Sequence, residues 1–118
     1  MINEIIVALN KLMKFDLHVL DGLIVAANPP LKLNLVMASR DPVAFDAAAA
    51  RILHVNPKKI KHIVLANHEG LGTPDFTPKG GSWKTFAKEY PKTKTTTKVL
   101  VLGYKMALKT GLLNPDLL

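Results

Sequence analysis

Three aspartates at predicted junctions between strands and helices are the side chains best placed to do chemistry. Asp21 precedes Gly22 at the end of an apolar run, Asp41 precedes Pro42, and Asp46 lies in the alanine-rich stretch that follows. Carboxylates that converge at such a junction can act as acid and base or hold a hard cation such as magnesium. The sequence therefore predicts Asp46 and Asp21 as catalytic residues and Asp21, Asp41 and Asp46 as metal ligands.

Each aspartate also has a structural explanation. On a helix, Asp46 shares a face with Val43 and Ala50, so its carboxylate is expected on the apolar side, where burial without a partner costs about 2 kcal/mol or more. Backbone N–H groups from the turn at Asp21 or the turn at 70–72 would satisfy it. Asp41 before a proline is typical of a helix N-cap, and Asp21 before a glycine is typical of a turn.

A second group of candidate ligand-binding residues lies at a predicted helix end: His68, Glu69, Gly70 and Gly72. A histidine beside a carboxylate can exchange protons or bind a ligand, but a histidine at a helix C-terminus also complements the helix dipole. The glycines follow a helix and do not join a strand to a helix, so neither a Walker loop nor a dinucleotide fingerprint is indicated.

The positive charge lies in the second half of the chain. Residues 1–57 carry as many acidic as basic side chains, so the whole formal charge of +7 belongs to residues 58–118. Lysines mixed with an aromatic side chain are typical of surfaces that bind single-stranded nucleic acid, and the alternative function is such a module. The competing interpretation is a solvated lysine face with the aromatic ring anchored in the core. The candidate residues are Trp83, Lys84, Lys88, Lys92, Lys94 and Lys98.

Composition removes several classes of protein. The chain has 118 residues and no cysteine, which excludes disulfides, a thiol nucleophile and a cysteine-ligated iron–sulfur cluster. No run has the length of a membrane span, and the first residues lack the apolar core of a signal peptide. We therefore expect a soluble, cytoplasmic protein of one domain over 1–118.

Hydrophobic spacing predicts the elements that position these residues. A helix over 2–14 should pack one face on a sheet. Residues 18–27 read as one bent strand, or two short ones, around Asp21, and 33–38 as a second buried strand. Helices are expected over 43–54, over 58–68 before Gly70, and around Trp83; a third strand over 99–102 and a last helix over 104–108 follow. The fold class is α/β: a single layered domain with a small mixed or parallel sheet flanked by helices.

Three motifs occur in order in this chain: Val-Leu-Asp-Gly-Leu-Ile at 19–24, Asp-Pro-Val-Ala-Phe-Asp-Ala at 41–47, and Glu-Gly-Leu-Gly at 69–72. Together they resemble domain-of-unknown-function family 362, over about residues 16–72, with 73–118 as a lysine-rich C-terminal part. Family members are typically longer, and some carry cysteine motifs for iron–sulfur clusters. The resemblance implies the later part of that domain as a separate chain. We expect either a partner that supplies the first half, or a homo-oligomer in which a second subunit covers an open edge of the sheet.

Overall fold

The computed structural model describes residues 1–92 together with Val99, Leu102 and Met106. It confirms the α/β class, with helices packed on a small sheet. In chain order the elements are α1 (Ile2–Leu12), β1 (His18–Val25), β2 (Leu31–Ser39), α2 (Pro42–Ile52), a 3₁₀ turn (Pro57–Lys59), α3 (Lys61–His68) and α4 (Trp83–Glu89).

The sheet is a two-stranded antiparallel ribbon in the described part of the chain. β1 pairs with β2 from His18 opposite Ser39 to Val25 opposite Leu31. The expected mixed or parallel sheet differs from this arrangement for a simple reason. The strands are joined only by residues 26–30, and a parallel pair needs a crossover of about a dozen residues or more.

The pairing of the two strands is irregular just after the Asp21–Gly22 step, but β1 continues through it. The register shifts between Gly22 and Ile24, and a side-chain oxygen of Asp21 accepts a hydrogen bond of 2.9 Å from the N–H of Leu23. One residue of β1, Leu23, lies opposite two residues of β2, Leu33 and Asn34, so the β-bulge is in β2, where Asn34 has a φ of 51°. Asp21 is exposed, and β1 runs as one strand from His18 to Val25, so of the two predicted forms a single strand is correct.

Helix α1 is present, but the prediction that its apolar face packs on the sheet is wrong. The helix packs on α3 through a different face, on which Val7 is buried. The apolar stripe faces outward: Ile2 is 70% exposed and Leu12 is 81% exposed, with Ile5 and Leu9 about half exposed. The ion pair between Lys11 of α1 and Glu69 after α3 helps to set this orientation.

The core forms on the two sides of α2. Val43 and Ala50 pack with Ile63 of α3, while Ile52 packs with Leu33 and Leu35 of β2. Trp83 and Phe86 of α4 cover this second cluster, as the interpretation of Trp83 as an anchor requires. Helix α2 is therefore the central element that joins the ribbon to the remaining helices.

Local sequence accounts for where α3 begins and ends. The side chain of Asn56 accepts the N–H of Lys58, and the 3₁₀ turn closes before Ile60, which is extended. The predicted helix over 58–68 is thus split into this turn and α3. Gly70 has a φ of 74°, which matches the left-handed conformation expected after the helix.

The predicted elements of the C-terminal part fall largely outside the described residues. Val99 and Leu102 are helical, so these two positions contradict the predicted strand over 99–102. Met106, in the predicted last helix, is helical as well. Among the described residues, no helix is both long enough and apolar enough to cross a membrane.

Substitutions in the exposed stripe of α1 and in the buried core should have very different effects on the free energy of unfolding. Leu12→Ala removes an exposed side chain, so we expect the free energy of unfolding to change by about 0.5 kcal/mol or less. Ile63→Ala empties a site that is 2% exposed and should cost about 2–5 kcal/mol. Urea unfolding measures both. Equal losses in the two variants would contradict this orientation of α1.

Candidate functional site

A groove lies between β2, α2 and the segment that leads into α4. Its volume is about 610 Å³, within the range of about 300–1,000 Å³ that is usual for ligand sites. Three parts of the chain line it: residues 35–40 of β2 and the turn after it; Ala44, Phe45, Ala48 and Ile52 of α2; and Phe76, Thr77, Pro78, Lys79, Gly81, Trp83 and Phe86.

The groove runs along the edge of β2. Its lining includes consecutive residues from Leu35 to Arg40, which point alternately to the two faces of the ribbon. Consecutive residues whose side chains point to opposite faces can line the same groove only if the groove runs along the edge of the strand. No residue of β1 takes part, so this is the edge of β2 that faces away from β1.

The charge of the groove has one sign. Arg40 lies directly after β2 and Lys79 lies on the opposite wall, and none of the described residues that line the groove is an aspartate or glutamate. No described carboxylate lies within ion-pair distance of either cation. The groove therefore combines aromatic walls with two positive charges that are available to an anion.

Aromatic side chains give the wall opposite β2 its shape. The guanidinium carbon of Arg51 lies 4.7 Å from the ring centroid of Phe76 and 5.7 Å from that of Trp83. Arg51 does not line the groove itself. Its cation–π contacts join α2 to Phe76 in the loop and to Trp83 at the start of α4.

Asp41 fixes the start of that same segment. One of its carboxylate oxygens accepts the N–H groups of Val43 and Ala44, at 2.8 and 2.9 Å, and so caps α2. The other oxygen accepts the N–H of Thr73 at 2.9 Å. A Cβ added to Gly72 would overlap this carboxylate. The predicted cap is confirmed, and the close approach explains the glycine.

The three predicted carboxylates lie in different surroundings. Asp21 is exposed on β1, and Asp41 is engaged by backbone donors. Asp46 is not buried on the apolar side: its side chain is 45% exposed and its Oδ2 lies 3.3 Å from Nε2 of His62 in α3. The residues described contain no group of three or more acidic or histidine side chains that could hold a metal.

The cavity beside Asp46 and His62 is small. It measures about 20 Å³, which is room for about one water molecule, and Asn10 of α1 is its other polar residue. The sequence predicts that Asp46 accepts hydrogen bonds from backbone N–H groups of a neighbouring turn. Asp41 accepts such a bond instead, because it precedes α2 and faces the loop after α3. Asp46 lies one turn further on, opposite α3.

The predicted ligand-binding residues at the end of α3 serve different contacts. Glu69 pairs with Lys11 at 2.5 Å, and this ammonium group lowers the pKa of the Glu69 carboxyl. Gly72 lies against Asp41, and Gly70 ends the helix. His68 is exposed and lines a separate depression with Lys58, Lys59, Lys61, Val64 and Leu65.

The candidate nucleic-acid residues are only partly described. Lys84 and Lys88 are exposed on α4, one turn apart, and Lys92 is exposed after it. The ammonium of Lys84 lies 6.0 Å from the ring centroid of Trp83, which is half-buried. Lys94 and Lys98 lie outside the described residues.

Sequence reasoning missed Arg40, Phe45 and Phe76 as site residues. A weak signal was present, because Arg40 stands in the Ser-Arg-Asp-Pro junction between a strand and a capped helix. Such junctions are common sites of ligand contact in α/β folds. Phe76 had no signal, since it reaches the groove only through the loop that Asp41 holds.

Comparison with protein families agrees with the resemblance seen in the sequence. The family described as "Domain of unknown function (DUF362)" matches residues 1–51, which confirms the predicted resemblance. The matched segment runs from α1 through β1 and β2 into α2, and so starts earlier and ends earlier than the expected 16–72. No curated protein and no solved structure matches the chain.

Substitutions at Asp41 should separate its two roles. Asp41→Ala removes the cap and the bond to Thr73, and we expect a loss of about 2 kcal/mol in the free energy of unfolding. Asp41→Asn keeps a capping oxygen but turns an amide N–H toward Thr73, so it should lose about 1 kcal/mol. The control is Asp75→Ala, at an exposed carboxylate nearby. Urea unfolding in which Asp41→Ala loses no more than this control would contradict the assignment.

Proposed function

We propose that this chain is a binding domain for an anionic ligand with an apolar body, and that the ligand occupies the groove along β2. The observation that carries the proposal is the pair of cations, Arg40 and Lys79, in an aromatic groove. In the described part of the chain, no carboxylate lines this groove or pairs with either cation. A ligand pocket is usually apolar with a few charged groups that set orientation, and this groove has that composition.

The two walls have different roles in this proposal. Phe45 and Trp83 contact the apolar body of the ligand, while Arg40 and Lys79 receive its acidic group. Arg51 is a positioning residue, because it acts on Phe76 and Trp83 and lies outside the lining. The groove is thus held from one end by Asp41 and from the side by Arg51.

Binding in the groove is favoured over carboxylate chemistry at Asp46. The Asp46–His62 pair faces a cavity of about 20 Å³, whereas the groove offers about 610 Å³. Asp21 is exposed on β1 and lines neither space. A catalytic or magnesium-binding role for Asp21, Asp41 and Asp46 therefore stays a prediction from the sequence.

Trp83 allows a direct measurement of ligand binding. It is the single tryptophan of the chain and it lines the groove, so its fluorescence reports on that site. We expect naphthalene-2-carboxylate to quench this fluorescence with saturation, and the neutral 2-naphthamide to bind more weakly. Arg40→Gln combined with Lys79→Gln should weaken the binding of the carboxylate about tenfold, since charge-assisted contacts are lost.

The matched control is Lys32→Gln, which removes an exposed positive charge from β2 outside the groove. This variant should leave the dissociation constant within about twofold of the parent. The proposal fails if the carboxylate and the amide bind equally, or if Lys32→Gln has the effect of the double variant.

Single-stranded nucleic acid is the second candidate, and the position of Lys84 near Trp83, with Lys88 one turn along α4, favours it. Labelled oligothymidylate should then bind with an affinity that falls steeply as salt rises. Charge reversal at Lys84 and Lys88 should abolish most of this binding. Binding that is absent at low salt, or unchanged in that double variant, would exclude this candidate.

The expected partners and location are not tested by the fold. The outward apolar stripe of α1 is consistent with a covering partner, whether a second copy or a separately encoded first half. Both remain predictions, as does the cytoplasmic location.

A further inference from the structure

The free edge of β2 brings backbone hydrogen-bonding groups to the groove. In an antiparallel ribbon, alternate residues of β2 turn their N–H and C=O groups toward β1, and the others turn them away. Between Leu35 and Ala38, no backbone group bonds to a described residue outside the ribbon. Within the part of the chain that the structure describes, these outward-facing backbone groups therefore have no partner, and they belong to residues that line the groove.

From this edge we infer that the ligand is an extended peptide segment with acidic side chains, which adds a third strand to the ribbon beside β2. The inference rests on the proposed function and specifies its ligand. Residues 35–39 span about 16 Å at about 3.3 Å per residue, enough for a segment of about five residues. Backbone bonds to β2 provide affinity in this mode, and side chains select the sequence.

The two walls of the groove supply that selection. Alternate side chains of an added strand point to the same face, so one set meets Phe45 and Trp83 while the other points outward. Arg40, directly after β2, and Lys79, across the groove, lie near the end of the added strand. They favour a carboxylate on the peptide, and no described acidic residue competes for them.

A second copy of this chain fits the edge less well than a peptide. Its own β2 contains no acidic residue and is followed by Arg40, so two β2 edges would bring no negative charge to neutralise either cation. Its β1 contains one acidic residue, Asp21, and a carboxylate oxygen of that residue already accepts the N–H of Leu23 in the same strand. The segment from Phe76 to Gly81 also lines the groove opposite this edge, where it would meet a second copy of the domain.

The test uses a fluorescein-labelled octapeptide of alternating valine and glutamate, with binding followed by anisotropy. One comparison peptide replaces glutamate by glutamine, and another is N-methylated at every peptide bond, which removes all backbone donors. We expect each change to weaken binding about tenfold or more. Amide hydrogen exchange of residues 35–38 should slow when the parent peptide binds.

Protein variants locate the binding. Arg40→Gln should weaken the parent peptide about tenfold, while Lys32→Gln should change its affinity less than about twofold. Equal binding of the N-methylated and parent peptides, or unchanged exchange in β2, overturns the inference. If naphthalene-2-carboxylate still binds in that case, the proposed anion groove stands and only the peptide is excluded. If neither probe binds, both are overturned.

Discussion

The carboxylate of Asp41 is the contact on which the arrangement of this molecule depends. With one oxygen it caps α2, and with the other it holds the backbone at Thr73, far along the chain. A single side chain thereby sets both the start of the central helix and the path of the loop after α3. Gly72 makes the approach possible, because any larger residue would occupy the place of the carboxylate.

The groove is a consequence of that constraint. A ribbon of two strands has two faces and two edges, and one helix layer covers only part of them. α2 and α4 cover the inner face through Ile52, Trp83 and Phe86. The loop held by Asp41 then passes beside the edge of β2 without pairing with it, so a channel remains between them. Arg51 keeps the aromatic wall of this channel in place through Phe76 and Trp83.

Local chemistry made much of the fold predictable. The cap at Asp41, the hydrogen bond of Asp21 to the N–H of Leu23 and the left-handed Gly70 each depend on a few neighbouring residues and follow from the sequence. The buried face of α1 does not follow from the sequence, because the apolar stripe of the helix predicts that this stripe is buried. Contacts with α3 and with Glu69 instead decide which face is covered. Antiparallel pairing was likewise predictable in principle from the short connection over 26–30.

In the candidate site too, some features follow from the sequence and others depend on how the elements pack. The sequence by itself determined which residues can carry charge or cap a helix, the absence of cysteine chemistry, and the resemblance that the family match over residues 1–51 confirms. Only the tertiary structure decided that Asp46 meets His62, that Asp41 holds Thr73, and that Arg40 and Lys79 face one groove. The physical reason is that these partners lie on different elements, and their distance is set by how the elements pack.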